Sequence, residues 1–268
     1  MSTTAIRVPT FTVRATATSR FVILLYGVAT YVFFLAVFVY TMGFVGGFIV
    51  PKGIDDGPLT TPLHAVLVDV CLLALFAVQH NVMARPAFKR WWTQAVVPPA
   101  AERTTFVLAA TALLALIVWQ WRPLPGVVWA VHSPIAVWIL HGVYMLGWGI
   151  VLYATFLIDH FELFGLRQTV SYALGRPAAP TPFTERSLYR VVRHPLMVGF
   201  MIAFWAAPVM SPGRLVFAGV ITAWVLVATR IEEATLVALH GEDYEQYRRR
   251  VPAFFPRLRR RETQKSAS

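Results

Sequence analysis

Leu188-Tyr189-Arg190-Val191-Val192-Arg193-His194-Pro195 stands ahead of an apolar stretch, and Ile231-Glu232-Glu233 followed by Gly241-Glu242-Asp243-Tyr244 stands behind it. An imidazole, guanidiniums and a carboxylate pair are thereby gathered on both flanks of one short membrane dip. Ionisable groups beside hydrocarbon are costly, so such a cluster marks a functional site by default. His80 and His160, together with Arg230, fall on the same side of the membrane in the reading below. A site built from these groups would accept water-soluble cofactors, while a small apolar reactant could enter it sideways from lipid.

The elements that must position these residues are membrane helices. Of the 268 residues, 57% are hydrophobic and 14% charged, and the mean hydropathy is +0.60. Several runs reach the roughly 20 residues a span requires. The first span, residues 21–50, begins with an apolar run, residues 21–40, that lacks a small-residue cleavage site at its end and is expected to stay as a helix rather than to be removed as a secretory signal. Thr61-Pro62 opens a second span reaching residue 83. A third covers residues 104–121, and a fourth opens at Ser133-Pro134 and stays uncharged until Asp159. Residues 196–210 and 215–229 form two apolar pieces of about 15 residues joined by Ser211-Pro212-Gly213-Arg214, which is turn chemistry. At roughly 22 Å of helix each, they predict a tight helical hairpin. The expected fold is an all-α integral membrane bundle of four spans plus this C-terminal hairpin, five or six membrane segments in all, with a cytosolic C-terminal helix. It divides into a cytosolic segment 1–20, a four-helix bundle 21–158, a core 159–256 with its cytosolic loop, and a basic tail 257–268.

Basic residues orient the bundle, because cytoplasmic loops retain Lys and Arg. With both termini inside, only Lys52, Arg122 and Arg214 of the 24 basic residues fall outside. The formal net charge of +11 is therefore a topological signal. It argues for contact with anionic lipid at the tail and against a nucleic-acid partner, since no soluble basic domain is present to carry one. The single cysteine, Cys71, excludes an intramolecular disulfide.

Tyr189-x-x-x-Arg193-His194-Pro195-x-x-x-Gly199, with Glu232-Glu233, Gly241-x-x-Tyr244-x-x-Tyr247 and Arg250-Val251-Pro252, resembles the C-terminal half of the isoprenylcysteine carboxyl methyltransferases. Upstream, residues 79–86 (Gln-His-Asn-Val-Met-Ala-Arg-Pro) and 159–168 (Asp-His-Phe-Glu-Leu-Phe-Gly-Leu-Arg-Gln) are similar to a narrower branch, the bacterial methanethiol S-methyltransferases. The resemblance implies an enzyme that uses S-adenosylmethionine, bound on the cytosolic side between hairpin and C-terminal helix, in a bacterial inner membrane. It carries cofactor contacts onto Tyr189, His194, Pro195, Leu196, Met197, Glu232 and Glu233, with Phe183 and Thr184 lining the same pocket, and a substrate-side role onto Arg230. Met197 stands where that family usually has tyrosine, and Asn81 where serine is expected.

The residues also make sense of methyl transfer on their own. A glutamate can hold the donor's ammonium, and a cation or imidazole its carboxylate. A thiol acceptor must lose its proton first, and His80, His160 and Arg230 are the groups that could take the proton or stabilise the thiolate. Together with the resemblance, which implies the acceptor, this makes conversion of methanethiol to dimethyl sulfide the leading reading. A lipidic or prenylated thiol or carboxylate is the alternative acceptor. An NADPH-dependent sterol-type reductase and a non-enzymatic membrane component are the competing classes. No metal is expected, since neither a His-Glu-x-x-His pattern nor paired cysteines occur. His80 and His160 could equally satisfy neighbouring groups at helix ends, Asp69 could pair with His64, and Gly142, Gly147 and Gly149 read as close-packing positions.

Overall fold

Thr16 accepts the Ser19 amide on its hydroxyl and so opens helix α1 (Ala17–Gly46), which stops where Gly47 turns left-handed at φ +73°. The computed structural model describes residues 16–176 and 185–256. Helices α2 (Pro62–Ala84) and α3 (Pro86–Ala95) each begin on a proline, the residue whose missing N–H is harmless at a helix start. A short 3-10 turn, Pro99–Ala101, leads into α4 (Glu102–Gln120), and α5 (Pro134–Ile158) again begins on proline. Two short helices, α6 (His160–Leu163) and α7 (Leu166–Ala173), precede α8 (Pro195–Trp205), α9 (Pro212–His240) and α10 (Glu242–Arg250).

The segments Ala17–Gly46, Pro62–Ala84, Pro99–Gln120, Pro134–Ile158 and Pro212–His240 are long and apolar enough to cross a membrane. The chain is an all-α, multi-span integral membrane protein. Its hairpin differs from the sequence expectation, because the two legs are unequal. The first, α8, stops after 11 residues, since Pro208 removes a helical donor and constrains Ala207 before it. The second, α9, runs for 29 residues, continuing through Arg230, Glu232 and Glu233 because Glu, Ala and Leu are strong helix formers. Gly241, at φ +57°, ends it.

The short leg is completed by extended chain. Strands β1 (Trp129–Ala130) and β2 (Val209–Met210) pair antiparallel. Val128 and Val131 donate to the carbonyls of Met210 and Pro208 at 2.8 and 2.9 Å, and Trp129 Nε1 donates to Ala207 at 3.2 Å. Non-helical backbone inside a membrane protein requires this kind of internal partner.

Packing sets where the short leg sits. A Cβ on Gly199 of α8 would lie 2.7 Å from the Gly147 carbonyl and 2.9 Å from the Val151 amide of α5, so the two backbones touch. Gly147 is the reciprocal contact, whereas Gly142 and Gly149 face open space and are not packing positions. The core lies in the half of the bundle away from the charged motifs, around Phe44, Trp121, Tyr144, Trp148, Phe204 and Phe217. The loops at that end are pinned by charge. Lys52 Nζ donates to the carbonyls of Val118, Trp119 and Trp121 at 3.0, 2.7 and 3.1 Å, a cation placed at the α4 C-terminus. Arg214 Nε donates to Asp55 at 2.7 Å. Asp69, fully buried, accepts the Arg122 amide at 2.9 Å rather than pairing with His64.

Candidate active site

Pro195 begins α8, and the two residues before it hang the whole C-terminal region on backbone and side chain alike. The Arg193 and His194 amides donate to Pro252 and Ala253 at 2.9 and 3.1 Å, which ties the Arg-His-Pro turn to the chain after α10. Arg193 is the hub. Its Nε and Nη2 both reach Oε1 of Glu233 at 2.7 Å, and its Nη1 donates to the carbonyls of Arg248, at 3.0 Å, and Val251. The last two are carbonyls at the end of α10, where a cation is favoured.

His194 Nε2 lies 2.9 Å from the same Oε1, and because a carboxylate only accepts, the nitrogen donates. Its Nδ1 faces Glu232 at 3.9 Å. The two glutamates therefore differ. Glu233 is 15% exposed and engaged by both Arg193 and His194, whereas Glu232 is 52% exposed and accepts no hydrogen bond from the described residues. Adjacent positions on a helix point about 100° apart, so one of them is gripped by the turn while the other only borders it.

Helix α10 closes the cluster. Tyr244 and Tyr247, three residues apart on one face, are buried. Tyr247 donates its hydroxyl to the Tyr189 carbonyl at 2.6 Å, and Arg250 pairs with Glu185 at 3.0 Å. Burial pushes the Tyr244 phenol up to about 12. Burial, and then the nearby Glu232 charge, raises Tyr189 as well, so these phenols stay neutral donors. Pro195 is buried, Leu196 and Met197 half-buried on the first turn of α8. Tyr189, His194, Pro195, Glu232 and Glu233 are thus brought together. Phe183 and Thr184 lie outside the described residues.

The other three expected residues stand apart. Arg230 is exposed on α9, one turn before Glu233, and makes no hydrogen bond with the described residues. His160 is buried against α1: its Nδ1 meets Thr155 Oγ1 at 2.8 Å and its Nε2 meets the Tyr31 hydroxyl at 2.8 Å. Thr155 already donates to Leu152, at 2.7 Å, so it accepts from Nδ1–H, and Tyr31 donates to Nε2. Burial holds this imidazole below its ordinary value, which agrees with the neutral ring that the hydrogen bonds require. His80 sits elsewhere, among Phe76, Phe106 and Trp224, with a buried Nδ1 that has no partner among the described residues.

Two neighbours of the expected residues have no sequence signal of their own. Arg193 reads only as part of a motif, since its partner Glu233 lies forty residues on and Arg230 is the nearer countercharge in the chain. Trp224 lies inside an apolar run and carries no signal until its neighbours are known.

The family model described as NnrU protein matches residues 69–257. The chain is 50% identical over 240 residues to methanethiol S-methyltransferase 2 of Bradyrhizobium diazoefficiens, covering 90% of this chain and 92% of that protein. It is 48% identical to the methanethiol S-methyltransferase of Mycobacterium tuberculosis, covering 88% and 97%. A more distant similarity, 28% over 185 residues, links it to nurim of Rattus norvegicus, covering 65% and 69%. No solved structure matches the chain.

Proposed function

The chain belongs to the NnrU protein family, on the branch of the methanethiol S-methyltransferases, and from that premise we propose that it transfers a methyl group from S-adenosylmethionine to methanethiol, giving dimethyl sulfide. The supporting observation is one engaged carboxylate beside one open one. Arg193 and His194 occupy Glu233, and Glu232, 3.9 Å from His194 Nδ1 and half exposed, accepts no hydrogen bond from the described residues.

That arrangement fits a methyl donor with an amino-acid end. Glu232 would hold its ammonium, and His194, once protonated at both nitrogens, would hold its carboxylate through Nδ1–H. When bound, the donor supplies a methyl group on a positively charged sulfur. Arg193 and Glu233 contribute by fixing the His194 ring, since orientation alone can supply roughly 7–11 kcal/mol of the barrier. Arg230, exposed and without a hydrogen-bond partner among the described residues, would be a substrate-side cation at the edge of the site. His80 would take the thiol proton, a free cysteine-like thiol having a pKa of about 8.5. His160, with both nitrogens engaged, would serve by holding α1 to the end of α5. Charge cancels as thiolate meets sulfonium, and a site set among membrane helices favours that cancellation.

The site and both termini would face the cytosol of a bacterial inner membrane, because Lys52, Arg122 and Arg214 lie at the opposite end. The purified full chain, given methyl-labelled S-adenosylmethionine and methanethiol, should release labelled dimethyl sulfide into the headspace. Donor binding with no labelled volatile product from a panel of small thiols would defeat the thiol reading, and label in extracted lipid would redirect it to a lipidic acceptor.

A further inference from the structure

Four rings from three helices close on one another beside the donor cluster. His80 of α2 stacks on Phe76 at 5.5 Å, tilts against Phe106 of α4 at 5.0 Å, and stands perpendicular to Trp224 of α9 at 5.4 Å. Phe76 and Trp224 complete the box at 5.6 Å. Two of the three ring nitrogens of this box, His80 Nδ1 and Trp224 Nε1, are buried with no hydrogen-bond partner among the described residues. Buried polar groups are nearly always paired, so two orphans on adjacent rings call for a ligand.

A cation stands next to them. The Arg103 guanidinium lies 4.9 Å above the Phe106 ring, and its only hydrogen bond among the described residues is from Nε to the Leu163 carbonyl, at 2.7 Å. The nearest carboxylates pair elsewhere, Glu102 with Lys89 at 3.7 Å and Glu162 with Arg167 at 3.3 Å. Trp224 precedes Glu232 by eight residues, which is about 12 Å along α9 and about 80° around it. The orphaned box and the open carboxylate thus share one side of that helix.

Building on the methyltransferase reading above, we propose that the acceptor thiol binds in this box, its sulfur between His80 Nδ1 and the Trp224 indole N–H, with Arg103 as the cation that steadies the thiolate. A thiol answers both orphans at once: its S–H donates to the imidazole, and its sulfur lone pair accepts from the indole. Phe76 and Phe106 give the small alkyl group an apolar wall. In the reaction His80 Nδ1 takes the proton and the S–H electron pair stays on sulfur. That pair forms the new S–C bond, and the electrons of the broken C–S bond remain on the departing thioether. The proton then passes from His80 to water.

Trp224→Phe removes one N–H and keeps a ring, so in the full-length protein it should raise the methanethiol KM about tenfold and leave the affinity for S-adenosylhomocysteine unchanged. His80→Gln should lower kcat for methanethiol about a hundredfold. It should cost an acidic, already ionised thiol such as 2,2,2-trifluoroethanethiol less than about threefold, a rescue that a merely structural role would not give. An unchanged methanethiol KM in Trp224→Phe, or equal losses for the two thiols in His80→Gln, would overturn the assignment. These results differ from failure of the methyltransferase reading itself, which would show as absent donor binding and turnover in the unaltered protein.

Discussion

Replacing Arg193 by lysine keeps the charge and removes the fork, which makes it the sharpest probe of the C-terminal cluster. The guanidinium gives Nε and Nη2 to Glu233, each at 2.7 Å, and Nη1 to the carbonyls of Arg248 and Val251. A lysine offers one ammonium on a flexible stem. It can serve the carboxylate or the α10 carbonyls but not both, because they lie along different edges of the guanidinium plane. About two charge-assisted hydrogen bonds are lost, at about 1.5–3 kcal/mol each, and with the arginine side chain only 10% exposed water replaces little of that. The docking of α10 should therefore weaken by about 3–5 kcal/mol, a factor of at least about 100 in its opening equilibrium. Amide hydrogen exchange in detergent should report it as lost protection across residues 242–253 and at the Arg193 and His194 amides. Affinity for S-adenosylhomocysteine, measured by calorimetry, should fall in parallel. Wild-type protection and wild-type affinity in Arg193→Lys would refute the claim that this one side chain ties the Arg-His-Pro turn to α10.

Glu232→Gln should weaken S-adenosylhomocysteine binding about tenfold or more while leaving thermal stability unchanged, because Glu232 makes no hydrogen bond with the described residues; unaltered affinity would remove its assigned role. Gly199→Ala should cost about 1–3 kcal/mol, since the added methyl meets α5 backbone at 2.7 Å, whereas Gly149→Ala, facing open space, should be neutral or stabilising by up to about 1 kcal/mol; thermal unfolding of both variants checks the contrast. His160 is held below its ordinary value by burial, so below about pH 6.5 the unfolded chain binds a proton that the native site refuses, and stability should fall as pH drops. His160→Gln should flatten that acid-side loss, and equal pH slopes for the two proteins would count against it.

The membrane class, the spans and the meeting of His194 with the glutamate pair were legible because hydropathy and a spaced motif are local signals, whereas the part of Arg193 in it was not. The unequal hairpin was not. Hydropathy falls at Arg230, yet nothing in Arg230 to His240 breaks a helix, so the apolar run and the helix end 11 residues apart. Gly142, Gly147 and Gly149 looked equivalent in the chain, and only the approach of α8 distinguishes Gly147. The difference between Glu232 and Glu233 was hidden for a related reason. Both are glutamates at the same depth, and their roles separate through the 100° between them and the position of an arginine forty residues earlier.

That angular separation explains how one helix can serve both halves of a transfer reaction. Glu233 turns toward the Arg-His-Pro turn and α10, where its carboxylate is consumed in holding the site together. Glu232, the next residue, stays within 3.9 Å of His194 at the edge of that lock and lies toward the side that Trp224 occupies about two turns earlier, against α2. If α9 ended at residue 229, as its hydropathy suggests, the glutamates would sit on a flexible segment and their distance from the aromatic box would be free to vary. Because the helix continues without a break to His240, that distance is set by the helical rise, and the positioning that the proposed methyl transfer requires would be built into a single rigid element. An insertion of one alanine between Thr229 and Arg230 tests this directly. It rotates both glutamates by about 100° and advances them about 1.5 Å, which should abolish turnover even where the spans still assemble. Turnover within about threefold of the unaltered protein would show that the continuous helix is not what aligns the two halves.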